Sequence, residues 1–456
     1  MPSGLAYQRI LFLLAPTGDF CREDRCQSYF RAELIPTRRP PMEECEAAGA
    51  LRAIGAQAFV IDAPAAGLSA TATLERVRRH APDLIVVVVT FGSMTDDLAW
   101  ATRLRAAFPD VTIGLRGAPC YVLADEMLAR APAADFCVRG EYELAFAAIA
   151  ERGYPRTPGT VYRDAGRIVA PVPAVQADDL DALPRPARDV VDARAYTVRW
   201  IGRPQATVRV QRGCPFPCTY CLVHMVSGAR ARHRSAASIA AEMADVVRDG
   251  VRDFYLRADT FSLDRDWTLK TCAAIAEACP GARWVTTTRV ECVDDAVLAA
   301  MRRAGCYGVS FGIDAASEDI GARVRKAPDL ARAETAMRLC DRHGLVSLGY
   351  FMIGFLWETE ATLTETARFV RAVRPDLLTI HYAHPYPGTP YHDEVRAAGA
   401  RQASPRAQAE PAIESTALPP TALEGAARRM LRRHYANPRV LASLAGKGIQ
   451  FALGRR

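Results

Sequence analysis

Lysine is almost missing from this chain. Of its 58 basic residues only Lys270, Lys326 and Lys447 are lysines, and the others are arginines. That skew reads as coding bias, and set against 51 acidic residues it leaves a formal charge of +7 over 456 residues. No block of like charges has the length of a nucleic-acid-binding tail, so no nucleic-acid partner is expected. Long apolar runs are missing as well. The longest, Leu84–Val89 and Leu348–Trp357, fall far short of the roughly 18 residues of a membrane span and read as buried strands. Residues 1–14 carry one arginine before a short apolar stretch and no small-residue cleavage site, so they read as a first strand and not a signal peptide. A cytoplasmic, reducing location is the expectation, and there 13 cysteines are not a disulfide framework. Half the residues are hydrophobic and 24% are charged, which excludes wholesale disorder.

A chain of this length holds two or three domains. In residues 1–152 short β-branched runs alternate with amphipathic segments. Strands are expected at 10–14, 58–61, 84–89, 112–115 and 135–138, with helices between them. That alternation predicts a doubly wound parallel sheet covered on both faces. Such sheets bind ligands at the carboxyl ends of their strands. The connection over 17–41 is long, and loops of that length are usually functional or disordered. Residues 153–200 are rich in Pro and Asp, carry one hairpin signal at 159–170, and read as an interdomain linker. Pro184 and Pro186 each remove a backbone donor there. Over 201–395 the alternation resumes, with strands at 207–211, 252–257, 283–288, 307–312, 347–353 and 378–383. Six βα units with right-handed crossovers make a partial barrel. Residues 396–456 read as a loop followed by a basic amphipathic helix at 422–434 and a second one at 440–453. Their periodicity predicts a helical cap on the barrel, with contact to a membrane surface the less favoured rival.

The sharpest signal follows the first barrel strand: Arg212-Gly-Cys214-Pro-Phe-Pro-Cys218-Thr-Tyr220-Cys221. Three thiolates at C-x3-C-x2-C suit three irons of a cubane and leave the fourth iron open. An open coordination position is the mark of a catalytic site. Pro215 and Pro217 stiffen the loop. His224 leaves a zinc knuckle as the bland alternative.

This string resembles the cluster loop of radical S-adenosylmethionine (SAM) enzymes, in the form found in members that also carry an N-terminal cobalamin-binding domain. The resemblance covers nearly the whole chain. Gly117-Ala-Pro119 stands where the family has Gly-Gly-Pro, and Arg139-Gly140-Glu141-Tyr-Glu143 resembles the segment closing the cobalamin domain. Leu180–Pro186 resembles its Leu-Asp-x-Leu-Pro-x-Pro linker, and Pro385–Pro390 its barrel-end motif. Gly354-Phe-Leu-Trp-Glu358-Thr359 resembles Gly-x-Pro-x-Glu-Thr with Leu356 in place of proline; Glu358 is expected to cap the following helix. The implied architecture is α/β. A Rossmann-like cobalamin-binding domain precedes a partial (βα)6 radical SAM barrel and a short helical tail.

The resemblance implies a [4Fe-4S] cluster on Cys214, Cys218 and Cys221, with SAM and cobalamin as further cofactors. One electron from the cluster cleaves SAM to a 5′-deoxyadenosyl radical. Tyr220 is expected against the adenine or the cluster edge, with plain packing as its rival. Asp259, ending the second barrel strand, meets the SAM amino group or the substrate, or else caps the next helix. Arg289 holds the SAM carboxylate or a substrate anion, or else pairs with Glu291 or Asp294. Asp314 stands where the family has Glu in Gly-Ile-Glu-Ser. His384 is the better candidate of two histidines for the substrate side. In the first domain Gly92, Ser93, Thr95, Gly117, Gly140 and Glu141 are the expected corrin contacts, glycine permitting close approach. An Asp-x-His-x-x-Gly signature is missing and His80 is the one histidine of the first half, so base-off binding without a histidine on cobalt is expected. Cys21, Cys26 and Cys45 read as ordinary cysteines.

The expected activity is methyl transfer from methylcobalamin to an unactivated carbon (or phosphorus) of a biosynthetic intermediate. A second SAM would remethylate the cobalamin. The substrate would be a small or lipid-like molecule and the electron donor of flavodoxin or ferredoxin type. The alternatives are cyclisation, ring contraction or oxidation of lipids or tetrapyrroles, and a non-catalytic corrinoid or iron–sulfur sensor.

Overall fold

The computed structural model describes residues 4–18, 22–25, 37–198, 205–400, 410–413 and 417–453. Cys21 and Cys26, and most of the loop expected after residue 400, lie outside them. The chain forms two compact units, residues 1–198 with 225–227, and residues 199–224 with 228–456.

In the first unit, strands with unbroken apolar character lie in a sheet buried on both faces, as parallel strands require. The strands and helices alternate as β1 (Arg9–Leu14), α1 (Met42–Ala53), β2 (Gln57–Asp62), α2 (Ala70–His80), β3 (Leu84–Val88), α3 (Met94–Ala107), β4 (Thr112–Arg116), α4 (Cys120–Arg130), β5 (Phe136–Val138) and α5 (Tyr142–Arg152). Period two splits each strand between two cores. Leu11, Leu13, Ile85, Val87, Ile113 and Leu115 enter one. Ile10, Phe12, Leu14, Val86 and Val88 enter the other, against Leu51 and Phe146. The strand order is β2-β1-β3-β4-β5, all parallel, so the order reverses between β1 and β3.

Two expectations change here. The hairpin expected in the linker forms β6 (Thr160–Asp164) and β7 (Arg167–Val169), which extend this sheet as antiparallel edge strands. The segment beyond it also packs on the first unit instead of bridging. Ala187 N donates to Cys45 O at 2.9 Å, and Tyr196 Oη donates to Asp62 at 3.1 Å. The boundary between units therefore falls at residue 198. Helix α3 also begins at Met94 and not at the expected Asp97, which puts Thr95 on the helix and not in the loop before it.

The second unit contains the six expected strands: β8 (Gln205–Arg209), β9 (Asp253–Arg257), β10 (Arg283–Thr288), β11 (Cys306–Asp314), β12 (Val346–Ile353) and β13 (Leu377–Tyr382). They are parallel and ordered as in the chain, an open barrel with helices outside. Helices α6 (Ala236–Arg248), α7 (Arg265–Ala278), α8 (Asp295–Arg303), α9 (Glu318–Arg323), α10 (Leu330–Arg342) and α11 (Glu360–Val373) connect them. Asp264 caps α7 through Trp267 N, which removes Asp259 from that role. Thr359, not Glu358, caps α11.

Glu358 instead closes the turn after β12, accepting from Gly354 N at 2.9 Å and from the Thr362 hydroxyl. Burial pushes its carboxyl up to about 7. The folded chain then holds this proton over a range where the unfolded chain has lost it. Stability falls on the order of 3 kcal/mol as pH rises from about 4.5 to about 7. Glu358→Gln is expected to remove that component, so denaturant midpoints at pH 5 and pH 8 lie closer together in the variant. Equal pH slopes in both proteins would contradict it.

The tail caps the barrel. After α12 (Pro390–Ala397) come α13 (Pro420–Tyr435) and α14 (Pro438–Leu453). Leu423, Ala426, Ala427 and Met430 of α13 enter the barrel core, so its apolar face is taken up within the fold. Tyr435 Oη accepts from Leu378 N at 3.0 Å. The buried Lys447 ammonium on α14 meets Asp376 at 2.5 Å and Asp341 at 2.6 Å. Asp376 also accepts from Ser347 N at 2.8 Å. These charges lie at the amino ends of the strands, where barrels place stability and not chemistry. Among the described residues no helix is long and apolar enough to cross a membrane.

Candidate active site at the carboxyl ends of the barrel strands

The three-cysteine loop leaves β8 through a ring of hydrogen bonds. Gly213 N donates to Asp259 Oδ2 at 2.7 Å. Gln211 Oε1 accepts from Asp259 N at 2.7 Å and Thr260 N at 3.1 Å, and Gln211 Nε2 donates to Gly213 O at 2.5 Å. Asp259 thus ties the start of the loop to the end of β9. Gly213 has φ +85, and a Cβ there would lie 2.1 Å from Arg230 O, so only glycine fits. Further along, Cys214 N donates to Gly228 O at 3.2 Å, Thr219 N to Val324 O at 3.1 Å and Tyr391 N to Thr219 O at 3.1 Å. The loop is held along its length by backbone bonds, which leaves its thiols for other partners.

All three thiols are free and half-buried. Cys214 Sγ lies 3.6 Å from the Thr260 hydroxyl. Arg289 Nη1 donates to Cys218 Sγ at 3.6 Å, its Nη2 to Glu291 at 2.9 Å, and its guanidinium covers the Phe216 ring at 3.9 Å. Arg289 therefore serves the cysteine loop and the expected Glu291 partner together. Burial pushes the Cys218 thiol up, while Lys326 and Arg289 pull it back; burial pushes Cys221 up to about 12. Metal binding displaces such protons.

Tyr220 is turned to Asp314, its hydroxyl donating to Oδ2 at 2.7 Å. The same oxygen accepts from Lys326, a buried ammonium that sequence reasoning passed over. Asp314 sits at φ +58, and the β11–β12 register shifts at this point. Backbone strain at a non-glycine strand end is characteristic of functional sites. Gly312 makes room, since a Cβ there would lie 3.3 Å from Lys326 Nζ. His384 is 5% exposed. Its Nδ1 has no hydrogen-bond partner among the described residues, and burial pushes its pKa down to about 4. It is a neutral imidazole at pH 7 with a nitrogen to spare. His224, the fourth ligand of the zinc alternative, is exposed.

The donor set fits an iron–sulfur cluster. Thiolates are its usual ligands, and the neighbouring Arg289 and Lys326 offset the negative charge it brings. Among the described residues no three His, Cys, Asp or Glu side chains are gathered as a single-ion site gathers them. A cubane does not require that, because each thiolate takes a different iron.

At the carboxyl edge of the first sheet, the expected contacts have structural partners. Ser93 donates to Asp97 Oδ2 at 2.6 Å. Thr95 is exposed and accepts from Arg130 at 2.8 Å. A Cβ on Gly117 would lie 2.0 Å from Val89 O, and one on Gly140 2.9 Å from Ala174 Cβ, so both glycines are demanded by the fold itself. The buried Glu141 accepts from Ala177 N at 2.7 Å. Gly92 lies in the short turn Phe91–Ser93 before α3.

Residues 208–370 match the radical SAM superfamily. An uncharacterized methyltransferase of Pyrococcus horikoshii is 27% identical over 72% of this chain and 73% of its own length. The anaerobic magnesium-protoporphyrin IX monomethyl ester cyclase of Synechocystis is 25% identical over 77% of this chain and 72% of its own. In fold, the chain resembles the radical SAM methyltransferase TsrM of Kitasatospora setae (TM-score 0.65, 18% identity, 87% of this chain and 77% of TsrM). It also resembles the cobalamin-dependent SAM radical enzyme OxsB (TM-score 0.64, 17% identity), covering 85% of this chain and 55% of OxsB. The cluster-type loop, the six-stranded open barrel that carries it and the doubly wound sheet before it in the chain thus agree with these likenesses: residues 208–370 carry a radical SAM domain, and the chain has a fold like that of the radical SAM methyltransferase TsrM and the cobalamin-dependent enzyme OxsB.

Proposed function

We propose that this enzyme is a cobalamin-dependent radical SAM methyltransferase acting on an unactivated carbon or phosphorus of a small or lipid-like biosynthetic intermediate. The observation that carries the reading is the anchored three-thiol loop flanked by two cations, the half-buried Arg289 and the buried Lys326. When bound, the cluster supplies one-electron cleavage of SAM and the corrinoid supplies methyl transfer. Cys214, Cys218 and Cys221 would hold the cluster. Asp259 fixes the loop at Gly213 and so sets where the thiols point. Arg289 and Lys326 offer positive charge to the carboxylate of SAM or of the substrate. Tyr220 would border the adenine or the cluster, held in place by Asp314. His384, neutral and with a free Nδ1, would face the substrate and accept a hydrogen bond or a proton. The corrinoid would lie at the carboxyl edge of the first sheet. That edge carries Gly92 and Ser93 in the turn before α3, Thr95 in the first turn of α3, Gly117, and Gly140 with Glu141. A flavodoxin- or ferredoxin-type protein would supply the electron, in the cytoplasm.

The cyclase relatives support a second reading, and the products separate the two. The reconstituted enzyme with hydroxocobalamin, SAM and reductant is expected to form S-adenosylhomocysteine as well as 5′-deoxyadenosine, the former only when the corrinoid is present. 5′-Deoxyadenosine without any S-adenosylhomocysteine would favour cyclisation or oxidation and contradict methyl transfer.

A further inference from the structure

Open sheets of this kind receive ligands in the crevice where the strand order reverses. Here that crevice lies between β1 and β3, and the chain fills it with its own side chains. The Arg22 guanidinium straddles the two strand ends, donating to Val88 O at 3.1 Å and to Ala15 O at 3.4 Å. It also pairs with Asp97 at 3.1 Å, the two side chains being 4% and 0% exposed. The Asp97 carboxylate gathers further donors. Asp97 accepts from the Thr17 hydroxyl at 2.5 Å, the Ser93 hydroxyl at 2.6 Å and Thr90 N at 3.2 Å. Arg22 also donates to the Thr17 hydroxyl at 2.6 Å. Two residues on, Asp24 covers the end of β4, accepting from Arg116 at 2.9 Å and from the Tyr142 hydroxyl at 2.6 Å.

A cobalamin bound base-off must put its displaced nucleotide tail somewhere. Seating the tail between β1 and β3 would break a buried ion pair that is bonded to both strand ends, and would leave a charge buried without its partner. The corrin ring itself would lie on the surface above the strand ends and not in the crevice. We propose that the first unit binds a corrinoid by its ring alone and excludes the nucleotide tail from the switch-point crevice, so that it takes tail-less cobinamide as well as it takes cobalamin.

This inference rests on the corrinoid reading above, and one titration separates the two. The full chain, with its cluster reconstituted anaerobically, is titrated with hydroxocobalamin and with diaquacobinamide, following the corrin absorbance. The two dissociation constants are expected to agree within about tenfold. Cobalamin binding more than about tenfold tighter overturns the inference and leaves the corrinoid reading standing. Binding of neither overturns both. The double variant Arg22→Ala/Asp97→Ala empties the crevice and is expected to shift preference toward cobalamin by more than about tenfold; a folded variant with an unchanged ratio also overturns the inference. Should that variant not fold, the wild-type ratio decides alone.

Discussion

Cys218→Ala is expected to lower 5′-deoxyadenosine formation by more than about a hundredfold, because a transition-state-forming unit does not survive loss of one member. The thiol is half-buried and its neighbours are anchored by backbone bonds from Gly213, Cys214 and Thr219 that the substitution leaves alone. Stability should therefore change by no more than about 1 kcal/mol, and corrinoid retention by the first unit should be intact. Iron content, the cluster's absorbance and 5′-deoxyadenosine yield are the readouts. Undiminished 5′-deoxyadenosine would remove Cys218 from the cluster.

Arg116→Met is expected to have the largest effect on stability. Arg116 ends β4 at 1% exposure, paired with Asp24 at 2.9 Å and with the buried Glu44 on α1, its guanidinium 5.0 Å from the Tyr142 ring centre. Methionine matches the stem but strips the cation that two buried carboxylates share. Removing one partner of such a group costs about 3–5 kcal/mol, seen as a shift in the unfolding transition of the first unit. Arg116→Lys should recover only part of it, since one ammonium does not reproduce a fork that reaches two acids. A loss below about 1 kcal/mol would show that the network contributes little.

The strand series of both units was legible because period-two burial and βα alternation are written locally. The cluster loop was legible because its chemistry depends on spacing within one short segment. What escaped depends on contacts between distant residues. Arg22 and Asp97 are 75 positions apart and meet only because the sheet order reverses between β1 and β3. Lys326 finds Asp314 from beyond helix α9, across a segment that begins with a left-handed residue, although its rarity in an arginine-rich chain was a visible signal. Asp259 stood at a strand end with two readings open, and a backbone amide of the cysteine loop, not a helix cap, turned out to be its partner. Gly117 and Gly140 suggested ligand approach, yet a backbone oxygen and a side chain of the same unit already fill the space beside them. The segment 153–198 looked like a linker from its prolines, but composition does not reveal that Ala187 and Tyr196 bond to the first unit.

Cobalt retained per chain tests the central claim most directly. The protein is reconstituted anaerobically with iron and sulfide, incubated with hydroxocobalamin and desalted. About one cobalt per chain is the predicted result, alongside the iron of one cluster. A protein that keeps its iron but retains no cobalt would contradict the corrinoid half of the account, leaving a radical SAM enzyme whose first unit serves another purpose.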